Sequence, residues 1–425
     1  MGSIIFRKEK SGIVISAKRL KERIEKLSTI SEAKEGFSGV TRRALTKEDK
    51  EAQLLVKSWM EEAGMHVRLD SAGNLIGRKE GLNIADKPIV IGSHIDSVEN
   101  GGKFDGTIGV IGGIEVVQHM VEQGVKATRP LEVIAFCEEE GSRFQSGGLF
   151  GSQAMVGRIS ARDLDVQDRN GITRREALDR FGLNPNTVIT DDVIRDHGDI
   201  ALYLEMHIEQ GPILESSGVP IGIVSHITGV TVFNIIIEGE SNHAGTTPMN
   251  MRRDALAGAC ELKLALEKIT NEYGTPAVSN VGRMEVFPGG VNIIPGKVTM
   301  SIDIRDVSKD RCEGILEKLK SFANEMSAKR GLAIQFIEKT RVQQAKCSEE
   351  VIAIAKSEAK NMNIKYLDMI SGAGHDAQLI VNICDIGMIF VRSRGGSHNP
   401  DEVASIDDIS LGTNLLYRVV LHYMR

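Results

Sequence analysis

Apolar and polar positions along the chain follow two alternating patterns. Residues 88–93 and 131–137 are almost continuously apolar, which predicts buried strands, and residues 202–206 predict another. Residues 106–123 carry apolar side chains at helical spacing. A further helix is predicted to begin at Thr46, with Asp49 completing a capping box, and to end near Gly64. This alternation of strands and helices indicates an α/β domain.

The pattern changes near residue 225. Residues 232–240, 278–286 and 297–305 predict strands, and residues 254–269 and 309–329 predict helices. This order indicates a small open sheet with two helices on one side. A helix at 349–361 and a strand at 387–391 then resume the α/β pattern that precedes residue 225. We therefore predict one discontinuous α/β domain, residues 1–224 and 341–425, interrupted by a second domain at 225–340.

Composition narrows the possible partners and the compartment. The chain of 425 residues has 52 basic and 58 acidic residues, a net charge of −6, which argues against nucleic acid or an anionic membrane as a partner. Its five cysteines are widely spread without a CxxC pair, as expected in a reducing compartment. No apolar run reaches about 18 residues and no signal-peptide core is present, so we expect a cytoplasmic protein.

Metal-binding residue types follow three successive predicted strands. His94 follows the first strand, residues 138–140 (three glutamates) follow the second, and His207 follows the third. Asp105 opens the intervening helix, and His398 lies near the end of the chain. Ligands bind at the carboxyl ends of strands in α/β sheets, and a mixture of imidazole and carboxylate suits Zn²⁺ or Mn²⁺. We therefore predict a metal site at this edge of the sheet.

Each of these features also has a structural interpretation. A single histidine is usually a hydrogen-bonded structural residue, and a run of glutamates is usually a solvated turn. Cys137 is better explained as a small buried hydrophobe than as a nucleophile. The glycine-rich residues 106–113 suit either a helix packed tightly on a sheet or a phosphate-binding turn, but Asp105 would repel a phosphate. The recurrence at successive strand ends is what favours a site.

Seven sequence motifs together carry a family resemblance. They occur in the order GSHIDSVENGGKFDG, FCEEEGSRF, HIEQGP, SNHAGTTPM, GGVNIIPG, SGAGHDA and GSHNPDE. In this order they resemble the M20-type metallopeptidase superfamily, and within it the amidase/hydantoinase/carbamoylase branch. The resemblance implies a mixed-sheet, two-metal α/β hydrolase domain with an inserted α+β (ferredoxin-like) lid and dimerisation domain. It also implies a homodimer formed through that lid.

The resemblance also implies a set of metal ligands. Two divalent ions per subunit, Mn²⁺ or Zn²⁺ with Co²⁺ or Ni²⁺ as further options, would be bound by a bridging Asp105 and by His94, Glu140, His207 and His398.

Glu139 would be the general base and Asp96 would orient the neighbouring ligands. Whether the base is Glu139 or Glu138 depends on register, and the spacing from Asp105 to Glu140 favours Glu139.

Substrate-binding roles follow from the same resemblance. His243 would stabilise the oxyanion, Asn292 and Arg305 would hold a substrate carboxylate, and Gln210 and His375 would line the pocket, with Gln210 at the ureido group. Taken alone, Arg305 suits a surface ion pair and Asn292 suits turn chemistry equally well.

The expected activity is hydrolysis of the carbamoyl C–N bond of N-carbamoyl-L-amino acids, with a small ureido-carboxylate as substrate. Allantoate amidohydrolase is the alternative, because allantoate also carries a ureido group near a carboxylate. An M20 peptidase or deacylase, a non-catalytic relative and a nucleotide-binding protein are weaker hypotheses.

Overall fold

The computed structural model describes residues 15–144, 147–190 and 192–424. Their strands are β1 (His66–Leu69), β2 (Leu75–Lys79), β3 (Ile89–His94), β4 (Leu131–Phe136), β5 (Leu202–Ile208), β6 (Ile221–Ile227), β7 (Gly229–Glu238), β8 (Val278–Phe287), β9 (Lys297–Asp306), β10 (Ala333–Val342), β11 (Ala345–Lys346), β12 (Tyr366–Ser371), β13 (Ile386–Val391), β14 (Ser393–Arg394) and β15 (Val403–Ala404).

The α-helices of the same residues are α1 (Ala17–Ser28), α2 (Lys47–Glu62), α3 (Thr107–Glu122), α4 (Phe150–Met155), α5 (Ala161–Leu164), α6 (Arg174–Phe181), α7 (Ile213–Ser217), α8 (Ala255–Tyr273), α9 (Lys309–Arg330), α10 (Glu349–Asn361), α11 (Ala377–Ile380) and α12 (Ile406–Tyr423). Short 3₁₀ turns occur at Pro185–Thr187 and Met249–Met251. In the described ranges, no helix is long and apolar enough to cross a membrane.

The described residues form two compact units. The larger unit takes its residues from Met1–Ser225, Lys346–Met369 and His375–Arg425. The smaller unit comprises His226–Ala345 and Ile370–Gly374. The short stretch 370–374 thus groups with the smaller unit, although the sequence placed it in the second part of the hydrolase domain.

The larger unit is built on a mixed sheet. Its strand order is β1-β2-β4-β3-β5-β13-β6-β11, with β12 beside β6. The central neighbours β4, β3, β5 and β13 run parallel, whereas β2 pairs with β4 and β6 pairs with β13 in antiparallel fashion. Every residue of β3 and β4 is buried, which explains their continuous apolar runs. The predicted mixed α/β fold is confirmed.

The glycines of helix α3 allow it to pack closely against the central strands. A Cβ at Gly109 would lie 2.4 Å from the carbonyl oxygen of Met206, and one at Gly113 would lie 2.8 Å from the Ile91 side chain. A larger residue at either position would push the helix off the sheet. The glycine-rich stretch 106–113 is therefore explained by tight helix–sheet packing.

The predicted start and end of α2 are confirmed. The Thr46 hydroxyl accepts a hydrogen bond from the Asp49 amide, and the Asp49 carboxylate accepts one from the Leu45 amide at 2.8 Å. Gly64, with φ of 77°, follows the last turn. Burial raises the pKa of Asp49 to about 7.

The smaller unit has the strand and helix order βαββαβ. Its sheet has the order β10-β7-β9-β8 with every pair antiparallel, which is the ferredoxin-like arrangement. Alternate residues of β7 and β9 are buried in a core shared with α8 and α9. The edge strand β10 was not predicted from the sequence.

Candidate metal centre and active site

Parallel pairing brings two histidines to the same level of the sheet. In the pairing of β3 with β5, Ile89 lies opposite Leu202 and Ile91 opposite Leu204. The same offset places His94 level with His207, and their ring centroids are 5.8 Å apart. Both side chains are buried at the carboxyl ends of their strands.

Asp105 completes the first group of potential ligands. Its Oδ1 lies 3.6 Å from His94 Nε2 and 3.1 Å from His207 Nε2. The Nδ1 atoms of the two histidines lie 3.0 Å from the Asp96 carbonyl and 2.9 Å from the Ile208 carbonyl. Because a carbonyl only accepts, each Nδ1 carries a hydrogen, so Nε2 is the ring atom of each histidine that can bind a metal ion once it is deprotonated.

A second group forms around the other oxygen of the same carboxylate. His398 Nε2 lies 3.7 Å from Asp105 Oδ2 and 3.3 Å from Glu140 Oε2. His398 lies in the loop between β14 and β15, and its backbone φ is 60°. Asp105 therefore presents one oxygen to each of two ligand groups.

The three consecutive glutamates have different surroundings. Glu138 is fully buried and bound to Arg174, whose Nε lies 3.0 Å from its carboxylate, and it also accepts the Phe144 amide. Glu139 Oε2 lies 3.6 Å from His94 Nε2, and Glu140 faces His398. Glu138 thus belongs to an ion pair with Arg174, whereas Glu139 and Glu140 face the histidines of the cluster.

Asp96 holds the glutamate turn in place. Its Oδ1 accepts the Glu139 amide and its Oδ2 accepts the Glu140 amide, both at 3.2 Å. Its carboxylate also lies 3.5 Å from His94 Nδ1. Asp96 therefore fixes both glutamates relative to His94.

The charge of the cluster indicates a cation. Burial raises the pKa of Glu139 and of Glu140 well above the usual range for a carboxyl group, and neighbouring acids add to it. Burial also disfavours the charged form of Asp105, but His207 and His94 hold its pKa well below the usual value. A divalent cation would offset the mutual repulsion of these acids, and the imidazole and carboxylate donors suit Zn²⁺ or Mn²⁺. The residues present fit such an ion.

Gln210 and His375 adjoin this cluster. Gln210 Nε2 donates to Asp105 Oδ2 at 2.8 Å, and its buried Oε1 has no hydrogen-bond partner among the described residues. The His375 ring packs edge-on against His207, with centroids 4.6 Å apart, and burial lowers its pKa well below the usual value. Gln210 Oε1 is therefore available to accept an N–H group, whereas His375 is a neutral buried neighbour of His207.

Glu205 lies close enough to His207 and His375 to form a third group of potential metal ligands. Its carboxylate already accepts hydrogen bonds from Ser93, Tyr203 and the Ala377 amide. These contacts explain its burial without an ion.

In the smaller unit, the local contacts of His243 define its tautomer. His243 is exposed, and its Nδ1 accepts hydrogen bonds from the amides of Gly245 at 3.0 Å and Thr246 at 3.3 Å. Its Nε2 therefore carries the hydrogen of the neutral ring. The Asn292 carbonyl accepts the Ala244 amide at 2.9 Å, which joins the two predicted substrate-binding segments.

Arg305 is already engaged within the smaller unit. Its guanidinium binds the Asp303 carboxylate, with Nη2 at 2.8 Å, and Nη1 donates to the Gly372 carbonyl at 2.8 Å. The ion pair that the sequence allowed for Arg305 is thus present.

Two buried residues near the cluster were not predicted. Arg174, the partner of Glu138, lies 36 positions along the chain, so no local pattern links them. Glu402 is buried beside Asp105, although its Asn-Pro-Asp-Glu context is typical of an exposed loop.

Comparisons with known proteins place this fold and site in a family. The family model for peptidase family M20/M25/M40 matches residues 90–422, and the chain belongs to this family. M20 members generally use a divalent metal centre.

Individual relatives refine the comparison. The chain is 48% identical over 414 residues to the N-carbamoyl-L-amino-acid amidohydrolase of Pseudomonas sp. (strain NS671), covering 97% of this chain and 99% of that protein. It is 36% identical over 387 residues to the allantoate amidohydrolase of Bacillus subtilis, covering 90% and 93%. The crystal structure of a hydantoinase/carbamoylase family amidase from Burkholderia multivorans matches with a TM-score of 0.88 at 32% identity, covering 96% and 98%.

Gly106 offers a direct test of the ligand geometry. A Cβ at this position would lie 2.3 Å from the His94 ring, and φ is 64°. We expect Gly106→Ala to displace His94 or Asp105 and to weaken divalent-metal binding by about 10- to 100-fold, measured by titrating the metal-free protein. Gly124→Ala is the matched control, because φ is 65° with no atom within 4 Å. Equal metal affinities for the two variants would contradict the assigned geometry.

Proposed function

We propose that the chain hydrolyses the carbamoyl C–N bond of N-carbamoyl-L-amino acids and releases the amino acid, carbon dioxide and ammonia. The observation that carries this proposal is the 48% identity, over nearly the whole length of both chains, to an enzyme named for that reaction. The arrangement of two ligand groups around Asp105 supports it, because hydrolysis of an unreactive ureido group benefits from two cations.

The proposed site holds two divalent ions per chain. His94, Asp105 Oδ1 and His207 would hold one ion, and Asp105 Oδ2, Glu140 and His398 the other. Mn²⁺ or Zn²⁺ is the favoured metal, and Co²⁺ or Ni²⁺ would fit the same donors. Such ions lower the pKa of a bound water and polarise a carbonyl oxygen.

Glu139 is the proposed general base. Glu138 is committed to Arg174 and Glu140 faces His398, so Glu139 is the member of the triplet left to move a proton. Its Oε2 lies 3.6 Å from His94 Nε2, so the Glu139 carboxylate is placed beside the proposed ions. It would accept a proton from the attacking water and return it to the leaving nitrogen.

His243 is the proposed oxyanion donor. Its Nδ1 accepts two backbone amides, so its Nε2–H is oriented to donate to a developing negative charge. Exposure of this ring within the chain suits a role that depends on a second subunit. We therefore propose a homodimer formed through the smaller unit, which would act as a lid.

The remaining polar residues are proposed to select a ureido-carboxylate. The free Oε1 of Gln210 would accept an N–H of the ureido group. His375, which packs edge-on against His207, would line the same pocket. Asn292 and Arg305 would hold the carboxylate. Arg305 must then exchange or share a contact with Asp303 or Gly372.

Allantoate is the second candidate substrate, because one relative of similar length is named allantoate amidohydrolase and shares 36% identity. The higher identity to the carbamoyl amino acid enzyme favours the first candidate. We propose a cytoplasmic enzyme, supported by five cysteines that are all free thiols.

The activity can be tested by measuring ammonia release from the Mn²⁺-reconstituted protein. We expect turnover of N-carbamoyl-L-amino acids that a chelator abolishes and added Mn²⁺ restores. Turnover of allantoate alone would assign the alternative substrate. Cleavage of peptides or N-acyl amino acids without ammonia release from either ureido compound would overturn the proposal.

The base can be tested by changing one carboxylate to its amide. We expect Glu139→Gln to keep both metal ions and to lower kcat by at least about 100-fold, since the amide cannot accept the proton. Glu140→Gln is the matched comparison and is expected to lose one ion. Full turnover by metal-loaded Glu139→Gln would show that another group moves the proton.

A further inference from the structure

Glu402 is a buried carboxylate at the base of the loop that carries His398. Only 3% of its surface is exposed. It precedes β15, which pairs with β14 across this loop through Ser393 opposite Ala404. A carboxylate at such a position is costly unless its oxygens are hydrogen-bonded.

One oxygen of Glu402 binds the backbone at Asp105. Glu402 Oε1 accepts the amide of Phe104 at 3.0 Å and the amide of Asp105 at 3.1 Å. The approach is so close that a Cβ at Gly102 would lie 2.1 Å from the same oxygen. Two bonds from one oxygen thus fix the main chain from which the Asp105 carboxylate projects.

The other oxygen of Glu402 binds the His398 loop. Ser397, the residue before His398, places its Oγ 2.8 Å from Glu402 Oε2, and the same Oγ also contacts Asp105 Oδ2. Ser397 has one hydroxyl hydrogen for these two contacts. Ser397 Oγ therefore lies against both carboxylates, donating to one of them at a time, and joins the two loops by contact.

We propose that Glu402 is a positioning residue that fixes Asp105 and His398 relative to each other. It thereby assembles the ion site formed by Asp105, Glu140 and His398. This inference rests on the two-ion site proposed above and deepens it. Glu402 does not contact the reacting atoms. It acts through Ser397 and through the backbone of Asp105.

The two ion sites differ in how much they depend on this link. His94 and His207 project from the buried strands β3 and β5, which hold them independently of Glu402. His398 lies on a loop and its side chain is 52% exposed. Loss of Glu402 therefore weakens the site of Asp105, Glu140 and His398 more than the site of His94, Asp105 and His207.

The test is a metal titration of the metal-free chain without substrate, followed by circular dichroism of each variant. We expect Glu402→Ala to bind the ion at Asp105, Glu140 and His398 about 10- to 100-fold more weakly than wild type. Its affinity for the other ion should stay within about threefold of wild type. Glu402→Gln should restore both affinities, because its amide oxygen accepts the two backbone amides and its NH₂ donates to Ser397 Oγ. Ser397→Ala removes the same link from a loop and should weaken the same ion without unfolding the chain.

Glu132→Ala is the matched control. Glu132 is also buried and paired, with Arg78 at 2.9 Å and Arg195 at 2.7 Å, but it lies at the start of β4, away from the glutamate triplet that follows this strand. It should reduce stability and leave both metal affinities unchanged. Equal weakening of both ions by Glu402→Ala, or normal affinities in Ser397→Ala, would overturn the inference. A wild-type chain that binds a single ion would contradict the two-ion proposal itself, whatever its substrate.

Discussion

The Asp105 carboxylate is the point at which the separate segments of the larger unit converge. One oxygen faces His94 and His207 at the ends of two parallel strands, and the other faces Glu140 and His398 across two loops. The close packing of α3 on the sheet brings the start of this helix, and with it Asp105, next to the two histidines. Much of the architecture of this unit thus determines where one carboxylate lies.

Burying the Asp105 carboxylate beside other acids is electrostatically unfavourable. Hydrogen bonds from backbone amides hold the neighbouring acids in place. Asp96 accepts the amides of both Glu139 and Glu140, and Glu402 accepts those of Phe104 and Asp105. These bonds orient the acids but do not cancel their mutual repulsion. A pair of divalent cations would do so, which is why the same acids that destabilise an empty cluster would bind metal tightly.

The sequence predicted those parts of the structure that depend on local pattern. The continuous apolar runs of β3 and β4 and the capping of α2 at Thr46 are local signals, and each was located within about two residues. Strand β10 was missed because it is an edge strand with charged residues at several positions, so its alternation is weak. Helix α12 was also absent from the predictions, although it is largely buried.

The candidate site likewise has parts that local pattern predicts and parts that depend on long-range contacts. The recurrence of histidine and carboxylate at strand ends indicated a metal site, because parallel strands bring their carboxyl ends to one edge. The different surroundings of Glu138 and Glu139 could not be predicted from such a pattern, because they depend on an ion pair between Glu138 and Arg174 from a distant helix. The role that we propose for Glu402 likewise depends on a contact between segments almost 300 residues apart, which no spacing rule reveals.

Sharing of Asp105 by two cations is the proposal on which the others rest, and the number of metal ions bound per chain is a direct test of it. Metal-free protein would be reconstituted with Mn²⁺, and bound metal per chain would be measured by mass spectrometry for wild type, His207→Ala, His398→Ala and Asp105→Ala. We expect two ions in wild type, one in each histidine variant and none in Asp105→Ala. An Asp105→Ala chain that keeps one tightly bound ion would contradict this proposal.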